Sequence, residues 1–247
     1  MQMIWHDLAF LHWPIEASLL QRFLPPDLEV DTYDGRAWLG VVPFRMTEVC
    51  PRRVPRWLGS RDFAELNLRT YVRQRVALPD QREGSGRVLN NYPGVWFFSL
   101  DAASWLGVRV ARLWYGLPYF DAQIDIKRDR EAVNYNSQRT HRGAPPAELA
   151  VTYEPTDSLQ QAMPGSFEYW LTERYALYSA RTRGKTGFGK TSIGHIHHHP
   201  WPLQPGKARI EKCDMTRLLR LDLPEIDPVV HVAREIPVVA WGLQKLS

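Results

Sequence analysis

The stretch ELNLRTYV, residues 65–72, alternates polar and apolar side chains without a break. On an extended chain Glu65, Asn67, Arg69 and Tyr71 project to one side, and Leu66, Leu68, Thr70 and Val72 to the other. A period of two held this long specifies a strand. The apolar side must meet a core. The polar side has two possible destinations: water, as on the outer face of an antiparallel sheet, or an interior where convergent polar groups surround a ligand. The same residues therefore pose both the fold question and the function question.

Working outward, a polar loop containing glycine (79–94) leads from this strand into VWFFSLDA (95–102), a suitable antiparallel partner. Upstream, LEVDTYDGRAWLGVVPFRM (28–46) reads as two short strands around Asp34-Gly35, a strong hairpin signal. MIWHDLAFLHW (3–13) is extended and stops at Pro14, and EASLLQRFL (16–24) carries a helical apolar stripe ended by Pro25-Pro26. SWLGVRVARLWYG (104–116) also has helical spacing, with Gly116 as its cap. YFDAQIDIKRD (119–129) and AVNYNSQRT (132–140) form a further hairpin, whose charged end is solvated, and AELAVTYEP (147–155) is another strand. SFEYWLTERY (166–175) opens on a serine N-cap as a short helix running into a strand, and the tail 229–246 supplies two more strands. About ten strands and three short helices, without β-α-β alternation, predict an α+β chain dominated by antiparallel, closed or strongly curved sheet. No repeat or linker divides residues 1–247, so a single domain is expected.

Composition excludes several classes. The formal charge is only +4, and although 25 of the 31 basic residues are arginine they are scattered, so no nucleic-acid partner is expected. No segment approaches the ~18 apolar residues that span a bilayer, and the N-terminus has no leader pattern, so a cytoplasmic location without membrane association is expected. Cys50 and Cys213 are far apart and have no catalytic-looking setting. Ten tryptophans fill a core or line a pocket.

GKTGFGKT (184–191) matches the phosphate-loop pattern letter for letter, but that pattern works only between a buried strand and a helix. The amphipathic ERYALYSARTR enters it and SIGHIHHHPWPLQP leaves it, where a glycine and prolines forbid a useful helix. A glycine-rich hairpin loop without nucleotide binding is expected. HIHHHP (195–200) sets His195, His197 and His199 on one side of a strand, which could chelate zinc or iron, yet no further ligand is identifiable. Tyr119, in YGLPYFDA (115–122), is either a hydroxyl projecting into a cavity or an aromatic core plug.

Several motifs in one order resemble a known family: HWP (12–14), LPPDLEVDTYDGRAWLGVVPFRM (24–46), ELNLRTYV, GVWFFSLDA (94–102), GLPYF (116–120), PGSFEYWLTERYALYS (164–179) and HHPWPLQP (198–205). Together they resemble the YqjF-like proteins, which look related to the acetoacetate decarboxylases, an antiparallel β-barrel or cone around a small hydrophobic cavity. Those enzymes form a Schiff base through a lysine. Here Arg112, Gly116 and Pro118 fit the surrounding motif, but Tyr119 and Phe120 occupy the lysine positions. A phenol forms no iminium, so the covalent step is missing. By motif order one catalytic glutamate falls at Glu65 and the other at Val42, where it is lost. The resemblance thus turns the polar face of residues 65–72 inward and makes Arg69 a carboxylate clamp.

The function expected is binding of a small, partly apolar organic acid or ketone. Arg69 anchors charge, Glu65 and Tyr119 supply hydrogen bonds or an acid–base pair, and Asn67, Tyr71, Trp96, Phe98 and Arg112 complete the lining. If the chain is an enzyme, a lyase or isomerase reaction without a covalent intermediate is implied, and no cofactor. Alternatives are a non-catalytic interaction or regulatory protein with a filled barrel, and a metal-dependent enzyme built on the 195–199 histidines; the sequence is compatible with a monomer or a homo-oligomer.

Overall fold

The computed structural model describes residues 1–50, 61–75, 92–104, 116–183 and 187–246. The chain enters on a long strand, β1 (Gln2–Ile15), in which Pro14 stays in the ladder opposite Trp38 and does not end it. After α1 (Ala17–Gln21) come β2 (Leu28–Val30), β3 (Ala37–Cys50), β4 (Arg61–Gln74) and β5 (Gly94–Ala102). β6 (Tyr119–Asp129), β7 (Ala132–Arg139) and β8 (Glu148–Pro155) form a meander. α2 (Phe167–Thr172) leads into β9 (Ala176–Arg183) and β10 (Gly187–His198). β11 (Gln204–Cys213), a 3₁₀ turn (Met215–Leu219), β12 (Val229–Ala240) and β13 (Gln244–Lys245) finish the chain.

These strands belong to one sheet whose pairings close on themselves. From β4 the ladder passes through β5, β9, β10, β12, β1 and β3 and returns to β4. A second arc, β6-β7-β8-β11, leaves at β5 and rejoins at β12. Closure of this kind removes exposed edges. The sheet is mixed, correcting the expectation of a wholly antiparallel one: β5 runs parallel to both β6 and β9. Parallel neighbours need long crossovers, and both returns to β5 come after long excursions of the chain.

The Asp34-Gly35 turn forms, with both residues at positive φ and Tyr33 bridged to Arg36. It does not join two partners, however. β2 pairs with Val72–Gln74 of β4, where β3 has let go, so the 28–46 hairpin is replaced by two strands sharing one edge of β4. The hairpin of β6 and β7 stands as read, with Arg130 taking the left-handed conformation between them. Ser166 caps α2 through a bond accepted from the Tyr169 amide. The helix expected over 104–116 lies almost wholly outside the described residues. Residues 187–191 of the phosphate-loop pattern lie in β10, so a strand and not a helix leaves it. No helix among the described residues is long and apolar enough to cross a membrane.

The alternation of β4 divides two cores. Leu66, Leu68 and Val72 pack into the larger one with Leu11, Trp13, Leu39, Val41 and Tyr135. The opposite face of β4 looks onto Phe10, Val42, Phe44 and Trp201. Water is therefore not the destination of the polar stripe: Glu65, Asn67, Arg69 and Tyr71 are all buried.

Candidate functional site

Register places the site residues in rows. His12 of β1 lies opposite Gly40 of β3, Gly40 opposite Arg69 of β4, and Arg69 opposite Phe97 of β5, all on one face. The row towards the N-terminal end of β4 is Val42, Asn67, Leu100 and Tyr119, and the next contains Phe44, Glu65 and Ala102. Tyr119 reaches this face because β6 joins β5 in parallel, which no local pattern reveals. Gly40 is required here by space: a Cβ would sit 3.0 Å from His12 Nε2 and 3.4 Å from Arg69 Cγ.

At one end the Tyr119 hydroxyl donates to Glu65 Oε2 at 2.9 Å, and the Tyr135 hydroxyl donates to the Glu65 carbonyl at 2.8 Å. Burial pushes the Glu65 carboxyl up to about 8, against the opposing hydrogen bonds from Tyr119 and Asn67, with a smaller push from the Asp101 charge. Near neutral pH Glu65 is accordingly a protonated acid, able to donate to a carbonyl or hydroxyl oxygen. Behind it, Asp101 and Arg139 form a fully buried bidentate pair at 2.7 and 2.8 Å, with the guanidinium 4.2 Å over the Phe120 ring.

The other end is built around cations. Arg69 Nη2 donates to the Tyr71 hydroxyl at 3.4 Å, and that hydroxyl lies 2.5 Å from His12 Nε2. A guanidinium can only donate, so the arrangement that satisfies most groups has Tyr71 donating onward to His12 Nε2. His12 is held neutral, its pKa well below the ordinary value through burial and then through Arg69 and His231. Its proton then sits on Nδ1, which is buried without a partner, as is Arg69 Nε. Arg174 packs 5.2 Å from the same Tyr71 ring and pairs with Asp31 at 2.6 Å, leaving its own Nη2 unpartnered. Of these three buried arginines, Arg139 and Arg174 have carboxylates. Arg69 forms no ion pair among the described residues and is only 9% exposed. Unpaired buried donors beside a buried cation are costly unless a partner meets them.

Some expected members are elsewhere. Trp96 pairs with Thr70, on the far side of β4 from Arg69, and Phe98 packs edge-on against Phe23 in the larger core. The register between β4 and β5 slips after Leu68, so that Phe97 and not Phe98 follows Ser99 in the ladder and Phe97 shares the face of Arg69. A bulge of this kind has no reliable sequence signal. Arg112 lies outside the described residues. His197 and His199 rings are 6.1 Å apart, His195 packs on Tyr92, and no group of three metal-ligating side chains occurs among the described residues. Every lysine among the described residues is exposed, so none is a desolvated amine. A half-open hollow of about 260 Å³ between α1 and the 222–224 segment carries none of the expected residues. His12, Gly40 and Arg174 were not singled out as site residues. HWP and TERY mark the first and last as motifs, but only the register assembles them.

Three comparisons bear on this geometry. The acetoacetate decarboxylase of Legionella pneumophila superposes with a TM-score of 0.62 at 12% identity, covering all of this chain and 87% of its own. An enduracididine biosynthesis enzyme, MppR, solved with the condensation product of pyruvate and imidazole 4-carboxaldehyde, superposes with a TM-score of 0.64, again at 12% identity, over 89% of its length. At identities this low the superpositions show the fold alone, and it is acetoacetate decarboxylase-like. The uncharacterized protein YqjF of Bacillus subtilis (strain 168) is 38% identical over the whole of this chain and 93% of its own length. With residues 2–237 matching the model of the DUF2071 family of uncharacterized conserved proteins, the chain belongs to that family and carries an acetoacetate decarboxylase-like fold.

Proposed function

We propose that the protein binds a small, partly apolar organic acid, or a ketone of similar shape, between Arg69 and the Glu65–Tyr119 pair, without Schiff-base chemistry. The observation that carries this reading is the Arg69 guanidinium, buried on the same strand face as Glu65 with no carboxylate partner among the described residues. Burying a cation without a counter-ion is costly, and a bound carboxylate in bidentate contact removes that cost. Protonated Glu65, with Tyr119 as its hydrogen-bond partner, would hold the ligand's carbonyl or hydroxyl oxygen and could exchange a proton with it. Tyr119 at the lysine position, and the exposure of every described lysine, support a non-covalent site. The acetoacetate decarboxylase-like structures lend only their architecture, since fold does not carry activity.

A second reading has its own support. Trp5, Phe10, Phe44 and Trp201 touch one another at centroid distances of 4.9–6.0 Å beside the polar stripe, as a filled interior of a binding or regulatory protein would require. Thermal unfolding against a panel of carboxylates and ketones separates the two. A ligand at 100 times its Kd adds about 2.7 kcal/mol, or roughly 5–11 °C in a domain this size. The acid-binding reading predicts such a rise in the wild type and its loss in Arg69→Met with the unliganded fold retained. No rise with any acid would favour the filled interior, and equal rises in both proteins would remove Arg69 from the site.

A further inference from the structure

We infer that His12 and Tyr71 are positioning residues of the acid site: the neutral imidazole, acting through the Tyr71 hydroxyl, fixes the Arg69 guanidinium so that a two-donor edge of it stays free for a carboxylate. This rests on the acid-binding reading above, which uses Arg69 and leaves His12 without a role. The sequence supplies His12 on β1 and Tyr71 two residues beyond Arg69 on β4, and antiparallel pairing through β3 brings them together on one face. Gly40 stands between His12 and Arg69 in their row, and without a side chain there the imidazole and the Arg69 stem both lie close over its backbone.

The contacts form a relay. Arg69 donates from Nη2 to the Tyr71 hydroxyl at 3.4 Å, and that hydroxyl donates to His12 Nε2 at 2.5 Å. A guanidinium carries five N–H donors in a fixed plane, so one spent on Tyr71 leaves a complete two-donor edge. Its faces are confined as well, by the Phe10 ring at 5.3 Å and the Tyr71 ring at 5.7 Å. Phe10 in turn stacks on the His12 ring, 11° from parallel with centroids 6.2 Å apart. The imidazole therefore packs with both rings that hold the guanidinium. Packing alone does not account for a histidine here. His12 is fully buried and its Nδ1 has no partner among the described residues, a cost that an apolar side chain would avoid. What the imidazole supplies and an apolar group does not is an acceptor, Nε2, for the Tyr71 hydroxyl.

The Arg69 Nε–H magnetic resonance of the full chain, assigned by its loss in Arg69→Met, reads the positioning without any ligand. Tyr71→Phe removes one oxygen and keeps the ring, and His12→Leu removes the acceptor while suiting an apolar core; in both, this N–H should exchange with water at least about ten-fold faster than in the wild type. His12→Gln, whose Oε1 can accept in place of Nε2, should restore slow exchange. A packing role predicts the reverse order, with leucine tolerated and glutamine not. Exchange that is unchanged in Tyr71→Phe, or that leucine preserves better than glutamine, overturns the inference. Calorimetric titration with acetoacetate and 5-oxohexanoate as probes ties the relay to binding: affinity should fall at least about ten-fold in Tyr71→Phe and in His12→Leu, recover in His12→Gln, and fall no further in the double variant Tyr71→Phe/His12→Leu. Additive losses would mean that the two residues act separately and would overturn the relay. If neither probe binds the wild type, the acid-binding reading fails, while the Arg69 resonance still decides the positioning.

Discussion

Replacing Glu65 by glutamine converts a titrating acid into a permanent copy of its protonated form, and the consequence for stability follows from its burial. In the unfolded chain the carboxyl titrates near 4.5, and in the folded protein near 8. The folded state therefore holds its proton more tightly. The stability this confers is fully present below pH 4.5 and is lost as pH rises towards 8. Each pH unit in that window costs the wild type about 1.36 kcal/mol relative to Glu65→Gln, for a total of about 5 kcal/mol. No discount for solvent applies, since the side chain is buried. Urea unfolding of both proteins at unit steps from pH 5 to 9 measures the difference, and groups common to both cancel. The curves should nearly coincide at pH 5, diverge by more than a kilocalorie per unit, and run parallel above pH 8. A difference that stays flat across this range would show that Glu65 is ionised and solvated at neutral pH, and the proton-donor role would go with it.

Three other outcomes follow from the same geometry. Arg139→Met strands the Asp101 carboxylate in the core and should cost about 3–5 kcal/mol in urea unfolding, whereas a loss below 1 kcal/mol would mean the pair is hydrated. Gly40→Ala presses on the buried side chains of His12 and Arg69, so stability should fall by about 1–3 kcal/mol while affinity for a responding acid drops at least ten-fold; unchanged affinity would remove Gly40 from the site. Borohydride reduction in the presence of an oxo-acid should leave the protein mass unchanged, and a stable adduct would restore covalent chemistry.

Much of this was legible in the sequence because strands advertise themselves locally. The alternation of residues 65–72, the serine before α2 and the hairpin at 129–132 each specify their own backbone, and each formed. What could not be read depends on partners distant in the chain. β2 looked like the mate of β3, but β4 outlasts β3 and offers its free edge at Val72–Gln74 to β2. Trp96 and Phe98 share a parity with each other in a regular strand, and the slip after Leu68 places them behind the sheet while it turns Phe97 towards Arg69. The inward direction of Glu65 came from family likeness, since alternation alone favours the solvent face. His12, Gly40 and Arg69 lie in one row only because three strands pair in a particular register. That is tertiary information, which no single stretch of sequence holds.

The most direct measurement is a crystal structure of the protein grown with whichever oxo-acid of the panel raises its unfolding temperature most. The account predicts the carboxylate in bidentate contact with Arg69, at about 3 Å, and the oxo group within hydrogen-bonding reach of Glu65 or Tyr119. An acid seated instead in the hollow between α1 and the 222–224 segment, or an Arg69 that contacts no ligand at saturating acid, would contradict it.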